Sequence, residues 1–221
     1  MNILCAVAHQ MELDPFKAKY SDVEQFNTGH GNLYRLNGHA GNLNLIRTGI
    51  GLETTRKSLE HALQFLSKDV NGYPDVILNF GTCGAIHPER GVGDVVIGTE
   101  VLMEDQPSIP LNSQWINRFR EYLNLREKES VEGIIYTTEK AVADERTRDR
   151  IYRETQAQIV EMECYSVALV AEEHDIPLLA VKCISDNADE FLMKDFLANV
   201  NETMTELSDI IAGFIDSIVE N

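Results

Sequence analysis

The 221-residue chain is short of positive charge. It carries 19 lysines and arginines against 36 aspartates and glutamates, a formal net charge of −17 spread along its length. Nucleic acids and anionic membranes call for a basic face, so neither is an expected partner. Long apolar runs are lacking as well. The longest stretch without Asp, Glu, Lys or Arg is the 13 residues between Asp75 and Glu89, broken by Gly81, Gly84 and Pro88; a bilayer-crossing helix needs roughly 20 apolar residues. Cysteine is sparse. Cys5, Cys83, Cys164 and Cys183 sit in apolar or glycine-rich contexts without metal-ligand spacing, and are expected to be small buried thiols, with no metal centre and no cofactor. The first apolar run, Ile3 to Ala8, has no basic lead and is closely followed by Glu12, unlike a secretory signal, so a cytoplasmic location is expected. Without linkers, repeats or low-complexity segments, one domain over residues 1–221 is expected.

What is present is ordinary globular material, 43% hydrophobic and 25% charged. Apolar, β-branched runs recur at Ile3–Ala8, Leu43–Thr48, Val76–Phe80, Val95–Ile97, Gly133–Thr137 and Leu178–Ile184. Several are continuously apolar, as suits strands covered on both faces. Between them, Leu52–Leu66 and Glu163–Glu173 carry apolar residues at helical spacing, and Phe196, Val200, Met204, Leu207, Ile211, Phe214, Ile215 and Ile218 form the stripe of one long terminal helix. This alternation predicts an α/β domain around a central mixed sheet flanked by helices.

Three acid-bearing junctions stand where apolar strands run out: the segment from Ala6 through His9 to Glu12, Ile159-Val160-Glu161-Met162-Glu163, and Ile184-Ser185-Asp186 followed by Asp189. Ligands of open α/β sheets sit beyond the carboxyl ends of strands, so such acids are candidates for a shared site. Each acid taken alone reads more readily as a helix N-terminal or capping residue, and it is their joint pattern that points to a site. Asn79-Phe80-Gly81-Thr82-Cys83-Gly84 looks like a strand ending in two glycines, and Gly49-Ile50-Gly51 is a turn before a helix. Neither has the Lys-Ser/Thr of a P-loop or the third glycine of a dinucleotide fingerprint.

In this order, Glu12, Gly49-Ile50-Gly51, Gly81-Thr82-Cys83-Gly84, Gly93-Asp94, Glu161-Met162-Glu163 and Ile184-Ser185-Asp186 resemble the purine nucleoside phosphorylase/nucleosidase superfamily, most closely the 5′-methylthioadenosine/S-adenosylhomocysteine nucleosidases. The resemblance implies a partly barrel-like sheet, a homodimer, and a purine nucleoside as the small-molecule partner. It implies that Asp186, oriented by Ser185, binds the purine and protonates it, and that Glu12 positions and deprotonates water. Glu163 binds the ribose hydroxyls with Met162 packed on the sugar; Ile50, Thr82, Cys83, Gly84, Val142 and Glu161 complete the implied binding set, with Met193 on the apolar wall. Breaking an N-glycosidic bond through a sugar cation needs a protonated acid at the base and a base on the opposite face. Burial beside other acids is expected to raise Asp186 while a wetter Glu12 stays charged.

Phosphorylases of the superfamily have a Gly-Asp-Pro-Leu-Arg-type loop where this chain has His9, Gln10 and Glu12, and an arginine where it has Asn79, which favours hydrolysis. Arg47 keeps a phosphate-dependent reaction open as the alternative, and a nucleoside-binding homologue without catalysis is a third reading. Thr137-Thr138-Glu139, then Lys140, Ala141 and Val142, replace a segment that carries the base-stacking aromatic in the family. Lys182 stands for a common arginine and is expected to be an ion-pair partner. His30, His39, His61 and His174 are expected at the surface or in caps, and His87 in a loop. Trp115 is expected at the surface or in a dimer contact, and Arg146–Arg153 as a solvated face.

Overall fold

The computed structural model of the chain describes residues 1–37, 42–68 and 73–219, so His39 lies outside the described residues. The strands are β1 (Asn2–Val7), β2 (Val23–Asn27), β3 (Asn32–Leu36), β4 (Asn42–Arg47), β5 (Val76–Ala85), β6 (Val95–Met103), β7 (Ile109–Pro110), β8 (Val131–Thr137), β9 (Ile159–Glu161) and β10 (Leu178–Asp186). The helices are α1 (Gln10–Lys17), α2 (Leu52–Leu66), α3 (Ser113–Asn124), α4 (Glu145–Thr155), α5 (Cys164–Glu173) and α6 (Leu192–Val219).

One mixed sheet runs β10-β6-β8-β9-β5-β1-β4-β3-β2, with β7 on β6 and a further pairing of β10 with β5. That further pairing closes β5, β10, β6, β8 and β9 into a ring, while β1, β4, β3 and β2 extend from it as an open wing. The expected α/β architecture, with its partly closed sheet, is what the chain adopts. Closure requires a strand long enough to serve several partners, and β5 is that strand. β10 runs parallel along one edge of β5, from Ile77 to Gly84. The other edge is shared: β1 pairs with Val76 to Asn79, and β9 with Gly84 and Ala85. Between them, from Phe80 to Cys83, that edge is left without a strand partner. The glycine motif therefore forms the end of a strand, as the sequence suggests, and is not a turn.

The continuously apolar strands are buried on both faces, as β10 shows along its whole length. α6 lies against α1, β5 and β10 and buries Val200, Met204, Leu207, Ile211, Phe214 and Ile215. Each such side chain contributes roughly 1.5–3 kcal/mol relative to an exposed one. Trp115 corrects its expected surface position. It is 6% exposed and meets Phe214 edge to face at 6.3 Å, because α3 turns one apolar side inward despite its polar sequence neighbourhood. A smaller apolar cluster of Ile86, Tyr136, Val142, Ile151, Ala157, Val160 and Ala188 joins α4 to the ring. No helix among the described residues is long and apolar enough to cross a membrane.

Candidate active site

α1 opens with a capping box: His9 is the N-cap and Glu12 is the third helical residue. Glu12 Oε2 accepts the backbone N–H groups of Ala8 at 2.9 Å and His9 at 3.0 Å. Its Oε1 reaches the unpartnered edge of β5 and accepts from Thr82 N at 2.7 Å and Thr82 Oγ1 at 2.8 Å. Four donors thus reach this carboxylate, three of them fixed backbone N–H groups and the fourth the Thr82 hydroxyl, which can turn to leave a position for water. Glu12 is thus both the cap that its sequence position suggests and a component of the cavity. The room for it comes from Gly81, where a Cβ would stand 2.7 Å from Oε1.

Asp186 closes β10. Ser185 Oγ lies 2.9 Å from its Oδ2, and Ala188 N donates to Oδ1 at 3.0 Å. Burial raises its pKa above the ordinary aspartate value; these two hydrogen bonds oppose the shift, while the charges of Asp189 and Asp195 add to it. Gly84 makes room for this acid as Gly81 does for the other, since a Cβ there would stand 2.9 Å from Asp186 Oδ1. Two glycines three residues apart on one strand thus each back one carboxylate. Glu12 is not the wetter of the pair, as the sequence suggests: the two residues are 4% and 5% exposed. They differ in the number of donors, four against two.

A buried layer lies beneath. Glu161 Oε2 accepts from Glu163 N at 3.1 Å and Cys164 N at 2.8 Å and lies 3.3 Å from Lys182 Nζ. Glu161 Oε1 takes the Thr137 hydroxyl at 2.6 Å. Burial opposes charge on Lys182, yet Glu161, Cys164, Glu12 and Glu163 outweigh that penalty and leave its pKa raised. Glu163 is the N-cap position of α5 but makes no side-chain cap bond. Instead its Oε1 accepts from Gly51 N at 2.8 Å, which the left-handed backbone of Gly51, φ 88°, presents at the start of α2. Burial first, then the charge of Glu161, push Glu163 up to about 8 against the Gly51 N–H and Lys182.

These residues share one cavity of about 270 Å³. Glu12, Ile50, Thr82, Cys83, Gly84, Val142, Glu161, Met162, Glu163, Ser185 and Asp186, drawn from six separate stretches of sequence, all line it, as does Met193. None of its lining residues among those described is a lysine or arginine.

Residues 2–219 match the family model of the phosphorylase superfamily. The chain belongs to that superfamily. A 5′-methylthioadenosine/S-adenosylhomocysteine nucleosidase of Staphylococcus carnosus is 23% identical over 96% of this chain and 97% of its own. A Helicobacter pylori nucleosidase of the same description, solved with a pyrrolidin-3-ol ligand, superposes with a TM-score of 0.89 at 18% identity, covering 98% of both chains. The native structure of futalosine hydrolase from Helicobacter pylori gives the same score, identity and coverage.

Arg47 and Phe196 stand otherwise than the sequence suggests. Arg47, kept open as an anion ligand, donates to Gln10 Oε1 at 3.1 Å on the surface and is not among the cavity residues. His87 is in a loop, as expected, and lines another cleft. Sequence reasoning also missed Ala8, His9, Thr138, Val160 and Leu192 on the cavity wall, and placed Phe196 in the stripe that packs on the sheet. Phe196 meets the His9 ring edge to face at 6.3 Å and supplies an aromatic ring to a cavity whose Ala141 position has none. Its neighbours give the missing signal: Phe191, Met193 and Leu197 are all more than half exposed, more apolar surface than a helix buried on the sheet needs.

Proposed function

We propose that the protein hydrolyses the N-glycosidic bond of an adenine nucleoside, with 5′-methylthioadenosine and S-adenosylhomocysteine as substrates, releasing adenine and the free ribosyl sugar. The observation that carries this reading is a cavity holding two separately supported carboxylates, Glu12 and Asp186, with no guanidinium or ammonium among its lining residues. A phosphate dianion entering it would meet acids in place of cationic forks. Water is the better matched nucleophile, so hydrolysis is favoured over phosphorolysis.

In this reading the C1′–N9 bond breaks and its electron pair goes to the purine. Asp186, whose hold on a proton burial strengthens, donates that proton to the imidazole-ring nitrogen of the departing base, and Ser185 orients it. Water adds to the sugar cation at C1′ and passes its proton to Glu12. Glu163 binds the ribose hydroxyls, Met162 packs on the sugar, and Ile50, Val142, Met193 and Phe196 form apolar walls. The anionic surroundings stabilise the developing cation. Lys182 and Glu161 lock the floor through Thr137 and the α5 backbone. Similarity to the named nucleosidases supports the substrate class. The same reading carries a homodimer in the cytoplasm, and light scattering measures the former.

The test is incubation of purified protein with methylthioadenosine, adenosylhomocysteine, adenosine and inosine, with and without phosphate, followed by identification of base and sugar. Free sugar without phosphate is expected. A strict phosphate requirement with sugar 1-phosphate as product would replace this reading by a phosphorylase, and binding without base release would leave a binding protein. Asp186→Asn is expected to abolish turnover while nucleoside binding persists.

A further inference from the structure

A second cleft, of about 860 Å³, opens between the chain that leaves β5, one side of α4, and the segment after β10. Four of the chain's 11 arginines, Arg90, Arg146, Arg148 and Arg153, line it, against two acids, Asp149 and Asp189. In a chain of net charge −17 this local excess of positive charge has no counterpart in the cavity described above. Both acids are already engaged: Asp149 Oδ1 accepts from Arg148 Nε at 2.9 Å, and Asp189 Oδ1 accepts from Phe191 N at 2.8 Å. Arg146 and Arg153 lie within ion-pair distance of no carboxylate among the described residues. Arg90 is 3.7 Å from Asp94 and 3.8 Å from Glu89, while its Nε is buried without a hydrogen-bond partner.

Two of these cations are placed unfavourably for the helix itself, while Arg153, in the last turn of α4, is placed favourably. Arg146 and Arg148 stand at the amino-terminal end of α4, where the helix dipole disfavours positive charge. The helix dipole therefore does not account for Arg146 and Arg148. Beside them, His87 and Tyr152 meet edge to face with ring centroids 5.0 Å apart, offering an aromatic surface next to planar guanidinium forks suited to phosphate oxygens. The volume lies within the range of small-molecule sites.

From this juxtaposition we propose that the cleft binds a nucleotide, with Arg146, Arg153 and Arg90 holding its phosphates and the Tyr152–His87 pair packing on its base. The site is distinct from the candidate active site and does not depend on the reaction assigned there. The two nonetheless share a segment: Arg148 Nη1 donates to the Asn187 carbonyl at 3.4 Å, and the next residue, Ala188, donates to Asp186.

Isothermal titration of the full chain with ADP and with inorganic pyrophosphate tests this. The exposed pair Arg146→Ala/Arg153→Ala is expected to weaken ADP by at least about tenfold, two charge-assisted contacts being removed. Tyr152→Leu is expected to weaken ADP by about threefold or more, the contribution of one aromatic contact, and to leave pyrophosphate unchanged. Because neither Arg146 nor Arg153 lines the first cavity, ADP held there through its adenine would be indifferent to their loss. That indifference would overturn the proposal, as would absence of ADP binding at millimolar concentration. Pyrophosphate binding as tight as ADP would remove the base-packing role, and displacement of ADP by a tighter-binding RNA oligomer would make the cleft a polymer site.

Discussion

Replacing Gly81 by alanine tests whether the placement of Glu12 governs turnover. The added Cβ would stand 2.7 Å from Glu12 Oε1 and 3.0 Å from its Cδ, where ordinary contact starts at 3.4 Å. The carboxylate must therefore retreat by the difference between 2.7 and 3.4 Å, about 0.7 Å. The Gly81 backbone is not left-handed, so alanine itself is unstrained, and β5 is expected to form as before. Retreat stretches both bonds from Thr82, now 2.7 and 2.8 Å. Misplacement of a reacting group by 1 Å costs about 100-fold in rate, so kcat is expected to fall between about tenfold and 100-fold, with KM nearly constant. Stretching these two charge-assisted hydrogen bonds without breaking them costs as much as losing one, about 1.5–3 kcal/mol, which for a chain of this size lowers Tm by less than about 12 °C. The assay follows adenine release under saturating methylthioadenosine, with a melting curve on the same sample. Gly91→Ala is the control, since a Cβ there meets nothing within 4 Å. A folded Gly81→Ala protein with kcat within about twofold of the parent would refute the reasoning and remove Glu12 from the rate-determining chemistry.

Lys182→Met leaves the buried Glu161 carboxylate without its cation and is expected to destabilise the fold by about 3–5 kcal/mol in urea unfolding; adding Glu161→Gln should restore most of it, and no recovery would mean that the pair is not a unit. Glu163 is held at about 8 in the fold against 4.5 for the free side chain. A raised acid contributes stability in full below its unfolded pKa and loses it as pH rises through the folded one, so Tm is expected to fall between about pH 4.5 and 8. Glu163→Gln should flatten that fall, and an unchanged profile would reassign it. Phe196→Ala is expected to raise KM for methylthioadenosine by about threefold to tenfold with little change in kcat, matching the loss of one aromatic contact; an unaltered KM would place the ring outside the substrate's reach.

The major strands and the long helix were legible because burial on both faces leaves continuous apolar runs and a one-sided stripe leaves helical spacing. β10 and β4 begin and end within two residues of their apolar runs. β9 was legible only as the end of an apolar strand that carries Glu161 out, since three residues between α4 and α5 show no period from which to read bounds. What sequence order cannot show is the exchange of partners along β5, because register is a property of chain segments far apart. That exchange is why Thr82 can offer its N–H to Glu12, and why Gly81 and Gly84 are needed for space and not for turning. Trp115 misled for a related reason: its polar neighbours are local, while Phe214 comes from the far end of the chain. The candidate acids were found through their joint order, and their hydrogen-bond partners emerged only from the fold.

The four thiols give the chain a built-in record of its own opening. Cys5, Cys83, Cys164 and Cys183 are all buried, and burial is the leading reason each pKa stands above the ordinary thiol value. The thiolate is the form that reacts, so the folded protein shields its sulfurs twice, by access and by charge. Three of them lie away from the cavity lining, while Cys83 belongs to it. Alkylation of Cys5, Cys164 and Cys183 thus clocks the loosening of the core, and any faster labelling of Cys83 clocks the breathing of the pocket alone, with a bound nucleoside slowing that second clock and leaving the first to run.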